Sequence, residues 1–442
     1  MLDIKFIREN AKLVKQSIKN RNKKADVDQI LELDKERREL IAKIDEERMK
    51  ARAQRVGNLV QDIKNKVDMK TLKKRQILFK VLHKQKQEIK KLEEKLKATE
   101  ELLKIMIQDI PNIPQEDVPV GVDESANKQV RKVGAVPKLK NPKDHEELGK
   151  ALDIIDTERA TKISGSRFCY LKGASASLQF ALIQYTHDLL VKKEKFVPII
   201  PPVIVKRETA ASSGHPEAVG DEAYHLDQDD QFLVGTSEQS ILPMYKDEIL
   251  EEKQLPLRYL GYSTCFRREA GSYGKDVKGI LRQHQFDKLE MFVFCKPEDS
   301  KHEHENLLRL EEELMKGLEL PYRVMLLSTG DMGFPSTKTY DIETWIPSQE
   351  KYRETHSCSN CTDYQTRNLN IRFKRSVIAR SVYSRDAAIP SKPTTEYVHA
   401  LNGTAFAIGR ILIAILENNQ QPDGSILVPQ ALQKYTGFKV IK

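Results

Sequence analysis

No stretch of the 442 residues stays apolar for the ~18 or more positions a membrane-crossing helix needs, which argues against a transmembrane protein. The start, Met1-Leu2-Asp3-Ile4-Lys5, lacks the basic-then-apolar layout of a secretory signal. Asp3 and Glu9 speak equally against a transit peptide. Cysteine is scarce: the five (Cys169, Cys265, Cys295, Cys358, Cys361) are odd in number and irregularly spaced. That excludes a disulfide framework and points to a reducing, cytoplasmic setting. Cys358 and Cys361 form a lone Cys-x-x-Cys; a four-ligand zinc site wants a second pair at suitable spacing, so ordinary thiols are the better reading. No Gly-x-Gly-x-x-Gly follows a strand and no Gly-x-x-x-x-Gly-Lys-Ser/Thr occurs. Any nucleotide must therefore be held without a Rossmann or P-loop device.

Proline is missing, and glycine occurs only as Gly57, between Asp26 and Met106. What fills that stretch is Lys, Glu, Leu, Ile, Arg and Gln, all compatible with long helices. Leu82, Ile89, Leu96 and Leu103 recur every seventh residue, as do Leu33 and Leu40, which is the seam of a coiled coil. A break near Val67-Asp68-Met69, with Asp68 as a cap, predicts an antiparallel hairpin over 27–106. Arms of about 35–40 residues would reach roughly 50–60 Å at ~1.5 Å per residue. A continuous helix dimerising with another chain is the competing arrangement. The net charge of +9 is unevenly placed: residues 1–110 hold 30 Lys/Arg against 19 Asp/Glu, a net of +11, and the rest hold 44 against 46. A basic appendage on a near-neutral body suggests a polyanion partner, although solvated helix faces are also Lys-rich.

Pro111, Pro114 and Pro119 punctuate a linker over 111–126. From 127 to 442 the texture changes to short apolar runs: 196–200, 232–234, 289–294 and 340–345 read as strands of a mostly antiparallel sheet. Helices are expected at 176–193, 301–318 and 404–418. The chemically densest segment is 265–294, a strand, a glycine-punctuated loop and a second strand. Arg267, Glu269, Arg282 and Glu290 lie on or near those strands, and guanidinium forks on a rigid sheet suit phosphate oxygens. Gly271, Gly274 and Gly279 would let the loop close over a ligand. A charged hairpin with internal salt bridges is the plainer alternative.

This segment, from Cys265-Phe266-Arg267 to Arg282-Gln283-His284-Gln285-Phe286-Asp287-Lys288-Leu289-Glu290, closely resembles the second motif of class II aminoacyl-tRNA synthetases in its seryl, bacterial-type version. Leu401 to Arg410 resembles the third motif, and Glu417-Asn418-Asn419 and Asp423-Gly424-Ser425 follow as in seryl enzymes. His145 to Gly149, Ser164 to Phe168, Thr329 to Gly333 and Tyr352 to Asn360 match family segments in order. The resemblance covers essentially the whole chain.

It implies an α+β protein: an N-terminal antiparallel two-helix coiled-coil arm (1–110) that binds tRNA, then a class II catalytic domain (127–442) on a mostly antiparallel sheet flanked by helices. It implies activation of L-serine with ATP and Mg²⁺, and transfer to the 3′ end of serine tRNA, with selenocysteine tRNA a further candidate. Arg267 would hold the α-phosphate, Arg282 act near the pyrophosphate and Arg410 bind the γ-phosphate. Phe286 would stack on adenine, and Glu269 accept from its amino group. Glu354 and Ser357 correspond to magnesium ligands, suitably hard oxygen donors. Thr236 and Glu238 fall where the family contacts the serine ammonium; Glu290 and Thr404 match the pair reading its hydroxyl. A homodimer through the first motif is implied, as is contact between the basic arm and the long variable arm of the tRNA.

Three departures stand out. Lys195 occupies a position where glycine is common. Thr236-Ser237-Glu238-Gln239-Ser240 replaces a more usual Thr-Ala-Glu-Val-Pro, and Gly57 with Asn58-Leu59-Val60 interrupts the arm. A synthetase-like paralogue that only binds RNA or a protein has no need of Arg267, Glu269, Glu290, Glu354 and Arg410 together. A ligase for another amino acid, such as threonine, is disfavoured by Glu290 with Thr404 and by the lack of a paired zinc-ligand set.

Overall fold

The computed structural model describes residues 1–64, 69–215, 218–270, 278–375 and 394–442; for 54–64, 69–76 and 78 it describes the backbone alone. The chain divides into two compact units, one of residues 2–19 and 23–111, the other of residues 1, 20–22 and 112–442.

In the first unit Asp3 caps α1 (Ile4–Glu9), its Oδ1 accepting from the Lys5 and Phe6 amides, and α2 (Ala11–Asn20) follows. Two long helices, α3 (Val27–Lys64) and α4 (Met69–Gln108), come next. Ion pairs between Arg48 and Glu93 (2.7 Å), and between Lys95 and Glu36 (2.7 Å), run in opposite sequence order. The hairpin is therefore antiparallel within one chain, not one continuous helix. Exposed pairs of this kind contribute only ~0.2–1 kcal/mol each; the seam does more, with Ile30, Leu40, Ile44, Leu103 and Ile107 buried. Helix α3 runs through Gly57, at a cost of up to ~1 kcal/mol against alanine. The expected break at Val67-Asp68 lies outside the described residues. Near the arm's base Asp34 is buried between Arg8 (2.7 Å), Arg38 and Arg37. Burial opposes its ionisation, but the three guanidinium groups outweigh it and hold the carboxyl below the usual range.

In the second unit an eight-stranded sheet carries the cleft described below. Its strands are β1 (Lys128–Val133), β2 (Val197–Ile199), β3 (Leu257–Phe266), β4 (Gln285–Cys295), β5 (Tyr322–Leu326), β6 (Lys338–Ile346), β7 (Lys351–Thr362) and β8 (His399–Ala407). They lie in the order β1-β5-β6-β7-β8-β4-β3-β2. Every neighbouring pair is antiparallel except β2 with β3. The accompanying helices are α5 (His145–Ala151), α6 (Ala174–His187), α7 (Glu238–Ile241), α8 (Ser300–Gly317) and α9 (Ile408–Asn418). Leu307, Leu310 and Leu314 of α8 and Ile411 to Leu416 of α9 are buried in one core cluster with Val293, Ile342 and Phe406 of the sheet.

One expectation needs correction: residues 404–407 end strand β8, and α9 begins only at Ile408. Thr404, Phe406 and Ala407 pair with Glu290, Leu289 and Lys288 of β4, with Ala405 bulged between them, and ladder hydrogen bonds decide what a short run of small and apolar residues could not. Lys195 sits at φ 64°, the left-handed region that glycine enters freely, which explains why glycine suits this turn.

Candidate active site

A cleft of about 1200 Å³ opens over the middle of the sheet. Strand alternation puts residues two apart on one face, so Lys288 and Glu290 of β4, Asn402 and Thr404 of β8, and Asp341 and Glu343 of β6 all line it. Glu354 and Ser357 are three apart on β7, and a regular strand would send them to opposite faces. The β6–β7 register slips there: Ile342 pairs with His356 and Glu343 with Glu354, leaving Thr355 as an extra residue. This bulge turns both oxygen donors into the cleft.

Three arginines converge on one end. Arg267, just past β3, donates from Nε and Nη2 to the Gly235 carbonyl at 3.3 and 3.2 Å. Its guanidinium lies 5.4 Å from the centroid of the Phe286 ring. Arg282 Nη1 donates to Glu269 Oε2 at 3.0 Å. Arg410, in the first turn of α9, donates to Glu354 Oε1 at 2.9 Å. Burial disfavours the charged form of Glu354, yet Arg410 and Arg267 more than compensate and hold it below the usual carboxylate range. A narrower slot of about 140 Å³ opens off this end, bounded by Ile280, Leu281, Phe286, Ala407 and Gly409 and rimmed by the arginines. Its flat apolar walls with a charged rim suit a planar base carrying phosphates.

At the other end Thr236, Glu238, Lys288, Glu290 and Thr404 gather. Glu290 faces Thr404 across the β4–β8 ladder, and the Thr404 hydroxyl donates to its Oε2 at 3.5 Å. Burial raises the Glu290 carboxyl, an effect that contact with the Lys288 ammonium partly offsets. Glu238 behaves differently. Its burial is outweighed by His215, by a 2.6 Å hydrogen bond from Gln365 and by Lys288, and its carboxyl is held low. The unusual Gln239 closes the 235–239 loop by accepting from the Gly235 amide at 2.9 Å, and Ser240 donates to the Pro202 carbonyl at 2.6 Å.

Every candidate named from the sequence falls in this cleft or its slot: Thr236, Glu238, Arg267, Glu269, Arg282, Phe286, Glu290, Glu354, Ser357, Thr404 and Arg410. Gly271, Gly274 and Lys275 lie outside the described residues, and Lys278 pairs with Asp144 at 2.5 Å. His284 braces the Arg267 carbonyl through Nδ1 (2.9 Å), and His356 is buried against Thr355 (2.9 Å). Two participants were missed. Lys288, between Phe286 and Glu290 on the same strand face, could have been found from alternation alone. Arg21, wholly buried, donates to the carbonyls of Ser336 (2.8 Å) and Gly333 (2.7 Å), residues that line the cleft; no local pattern announces it.

Residues 224–419 match the tRNA synthetase class II core domain shared by glycyl, histidyl, prolyl, seryl and threonyl enzymes, and residues 1–114 match the seryl-tRNA synthetase N-terminal domain. The chain is 42% identical to the serine–tRNA ligase of Thermodesulfovibrio yellowstonii over 445 aligned positions, with all of both chains covered. It is 43% identical to that of Desulfitobacterium hafniense, again over the full length of both. Among solved structures it resembles seryl-tRNA synthetase from Pyrococcus horikoshii complexed with ATP (39% identity, TM-score 0.85, 100% of this chain and 99% of that one). It also resembles the cytoplasmic enzyme of Naegleria fowleri in complex with AMP (32%, TM-score 0.84, 100% and 99%).

Proposed function

The chain belongs to the seryl-tRNA synthetase family, and from its serine–tRNA ligase activity we propose how the cleft divides the work. The observation that carries the proposal is the division of the lining: Phe286, Arg282 and Arg410 bound a base-sized slot, Thr236, Glu238 and Glu290 lie in the cleft outside it, and Arg267, Lys288 and Thr404 border both. ATP takes the first end, with adenine against Phe286 and within reach of Glu269. Its α-phosphate lies at Arg267, its γ-phosphate at Arg410 and the leaving pyrophosphate near Arg282. L-serine takes the second, its ammonium at Thr236 and Glu238 and its hydroxyl between Glu290 and Thr404. Arg267 lies between the two ends, so it can neutralise the serine carboxylate as that group attacks the α-phosphorus in line. Positioning and preorganised charge supply most of such catalysis. The ribose hydroxyl at the tRNA 3′ end then attacks the seryl-adenylate carbonyl, and AMP departs.

Glu354 and Ser357 fit a divalent cation. Their oxygens are turned into the cleft by the bulge, and beside them Asp341 Oδ1 is buried without a hydrogen-bond partner, its carboxyl pushed well up by burial and by the charge of Glu354, so that a cation would let it ionise. Mg²⁺ is commonly held by one or two carboxylates plus substrate phosphates, and when bound it supplies charge neutralisation and orientation for those phosphates. We assign residues 1–110 to tRNA binding on their +11 charge, 127–442 to catalysis and 111–126 to the connection. The acceptor is serine tRNA, contacted at its long variable arm. A homodimer is supported by exposed apolar side chains on and just after edge strand β2, Val197 (54% exposed) and Ile200 (82%). Among the described residues no helix is long and apolar enough to cross a membrane, and five free thiols suit action in the cytoplasm.

ATP–pyrophosphate exchange across the twenty amino acids tests the assignment. Exchange is expected with serine; preference for another amino acid would overturn the reading of Glu290 and Thr404.

A further inference from the structure

The segment 278–283, which walls the base slot, is clasped by two residues far from it in sequence. His145, the first residue of α5, and Glu417, near the end of α9, are both buried. Glu417 Oε1 accepts from the His145 amide (3.0 Å) and lies 2.8 Å from His145 Nδ1, while Oε2 accepts from the Ser348 amide (3.1 Å). A carboxylate only accepts, so the imidazole proton resides on Nδ1 and leaves Nε2 bare. The Ile280 amide donates to that bare nitrogen at 3.2 Å.

The neighbouring backbone is shaped to this contact. Gly279 has φ +70°, and a Cβ there would fall 2.0 Å from His145 Nε2. On the other side a Cβ on Gly409 would fall 2.9 Å from Gln283 Oε1 and 3.3 Å from the Ile280 carbonyl. The segment is thus pinned between the imidazole and the first turn of α9, which carries Arg410. Lys278 adds an ion pair to Asp144, the cap of α5.

We propose that His145 is a positioning residue for the ATP step. Its Nε2 fixes the Ile280 amide and thereby the slot wall and the direction of Arg282, while Glu417 sets the tautomer. This rests on the assignment of the slot to adenine. It separates the role of His145 from that of a wedge that merely fills volume.

The test compares His145→Leu, His145→Asn and His145→Gln in the full-length chain by serine-dependent ATP–pyrophosphate exchange, with thermal melting of each. Leucine keeps the bulk and loses the acceptor. Asparagine can still bond Glu417 but is too short to reach Ile280, whereas the glutamine amide oxygen reaches the Nε2 position. Leaving one buried amide unpaired predicts a KM for ATP raised on the order of tenfold in the leucine and asparagine variants. The KM for serine should stay within about twofold, and glutamine should recover most of the loss. A wild-type KM for ATP in His145→Leu or His145→Asn would overturn the proposal, as would parallel rises for ATP and serine. Should the leucine variant fail to fold, the asparagine–glutamine comparison decides alone. Wild-type protein that exchanges no pyrophosphate with serine would bring down the slot assignment itself, an outcome distinct from normal kinetics in the variants.

Discussion

Replacing Glu290 by glutamine preserves the shape of the side chain and removes its charge. Glu290 is 1% exposed and touches the Lys288 ammonium, so the substitution leaves a buried cation without its contact partner. Breaking a buried pair in this way costs about 3–5 kcal/mol. Part of that returns, because Lys288 Nζ lies 3.5 Å from the Thr236 hydroxyl and within the field of Glu238. The net loss of ~2–4 kcal/mol falls on the free and the serine-bound protein alike and lowers the melting temperature; kcat/KM for serine falls instead by the charged acceptor lost to the substrate hydroxyl, ~1.5–3 kcal/mol or roughly 10- to 150-fold. The KM for ATP should move by no more than about twofold, since Glu290 belongs to the opposite end of the cleft. Serine-dependent pyrophosphate exchange measures both. Adding Lys288→Met to Glu290→Gln should recover part of the melting temperature without restoring serine activation, because methionine removes the stranded charge but no carboxylate is left to read a hydroxyl. A serine kcat/KM within about threefold of wild type, or an ATP KM that rises in step, would refute the reasoning.

Gly279→Ala places a methyl group against the His145 imidazole at a positive φ that costs an alanine roughly 1–2 kcal/mol before any clash; KM for ATP should rise at least as far as in His145→Leu, measured by the same exchange assay. His304 is buried and neutral, chiefly through desolvation, which lowers it to about 4. Its folded value lies below the ordinary ~6.5, so the unfolded chain takes up a proton first: stability is full above pH ~6.5 and lost as pH falls toward 4, by about 2 kcal/mol at pH 5. Thermal melting between pH 7.5 and 5 should show this loss, and His304→Gln should lessen it by that share, with His356, lowered to about 3 by burial, supplying a similar loss of its own. Deleting residues 27–106 should spare adenylate formation and abolish aminoacylation of serine tRNA, and undiminished charging by the truncated protein would end the arm's assigned role.

The features readable from the sequence were those with a period or a contiguous motif. Leu82, Ile89, Leu96 and Leu103 declare the arm because a seven-residue spacing means the same thing wherever it occurs. Phe286 and Glu290 declare the cleft because strand alternation holds them on one face, and Arg267 and Glu269, just past β3, declare it through a contiguous motif. What stayed hidden depends on register or on distance. The bulge at Thr355, which lets Glu354 and Ser357 share a face, shows only in the pairing with β6. The His145–Glu417 contact spans 272 positions. Nothing in the sequence of α8 separates Glu311 from its neighbours Glu312 and Glu313, yet Glu311 is wholly buried with neither carboxylate oxygen bonded, while Glu312 is buried against Arg131. The Glu311 carboxyl is driven well above the usual range by burial and by the nearby charge of Glu290. Helical periodicity separates faces, but cannot say which charged residue of three lies under a sheet.

If serine binds as proposed, the end of the cleft given to it also explains why a free amino acid fits where its fragments should not. Glu238 and Glu290 bring two negative charges into a closed space, and Lys288 answers only one of them. The carboxyl of Glu238 is held low against its burial chiefly by His215 and Gln365, with Lys288 a lesser contributor, while burial pushes that of Glu290 up despite its contact with Lys288. An ammonium entering at Thr236 and Glu238 supplies the missing charge, and Lys288 is then left to Glu290. Glu290 accepts from Lys288 with one lone pair set and retains another for a hydroxyl, which alanine cannot supply; a site left with such an unpaired acceptor rejects the lesser substrate by as much as ~10⁴-fold. The substrate carboxylate, the third charge, falls to Arg267, whose fork is already oriented by the Gly235 carbonyl. Charge closure is complete only when ammonium, hydroxyl and carboxylate arrive together, and the carboxylate is then beside the arginine that also serves the α-phosphate.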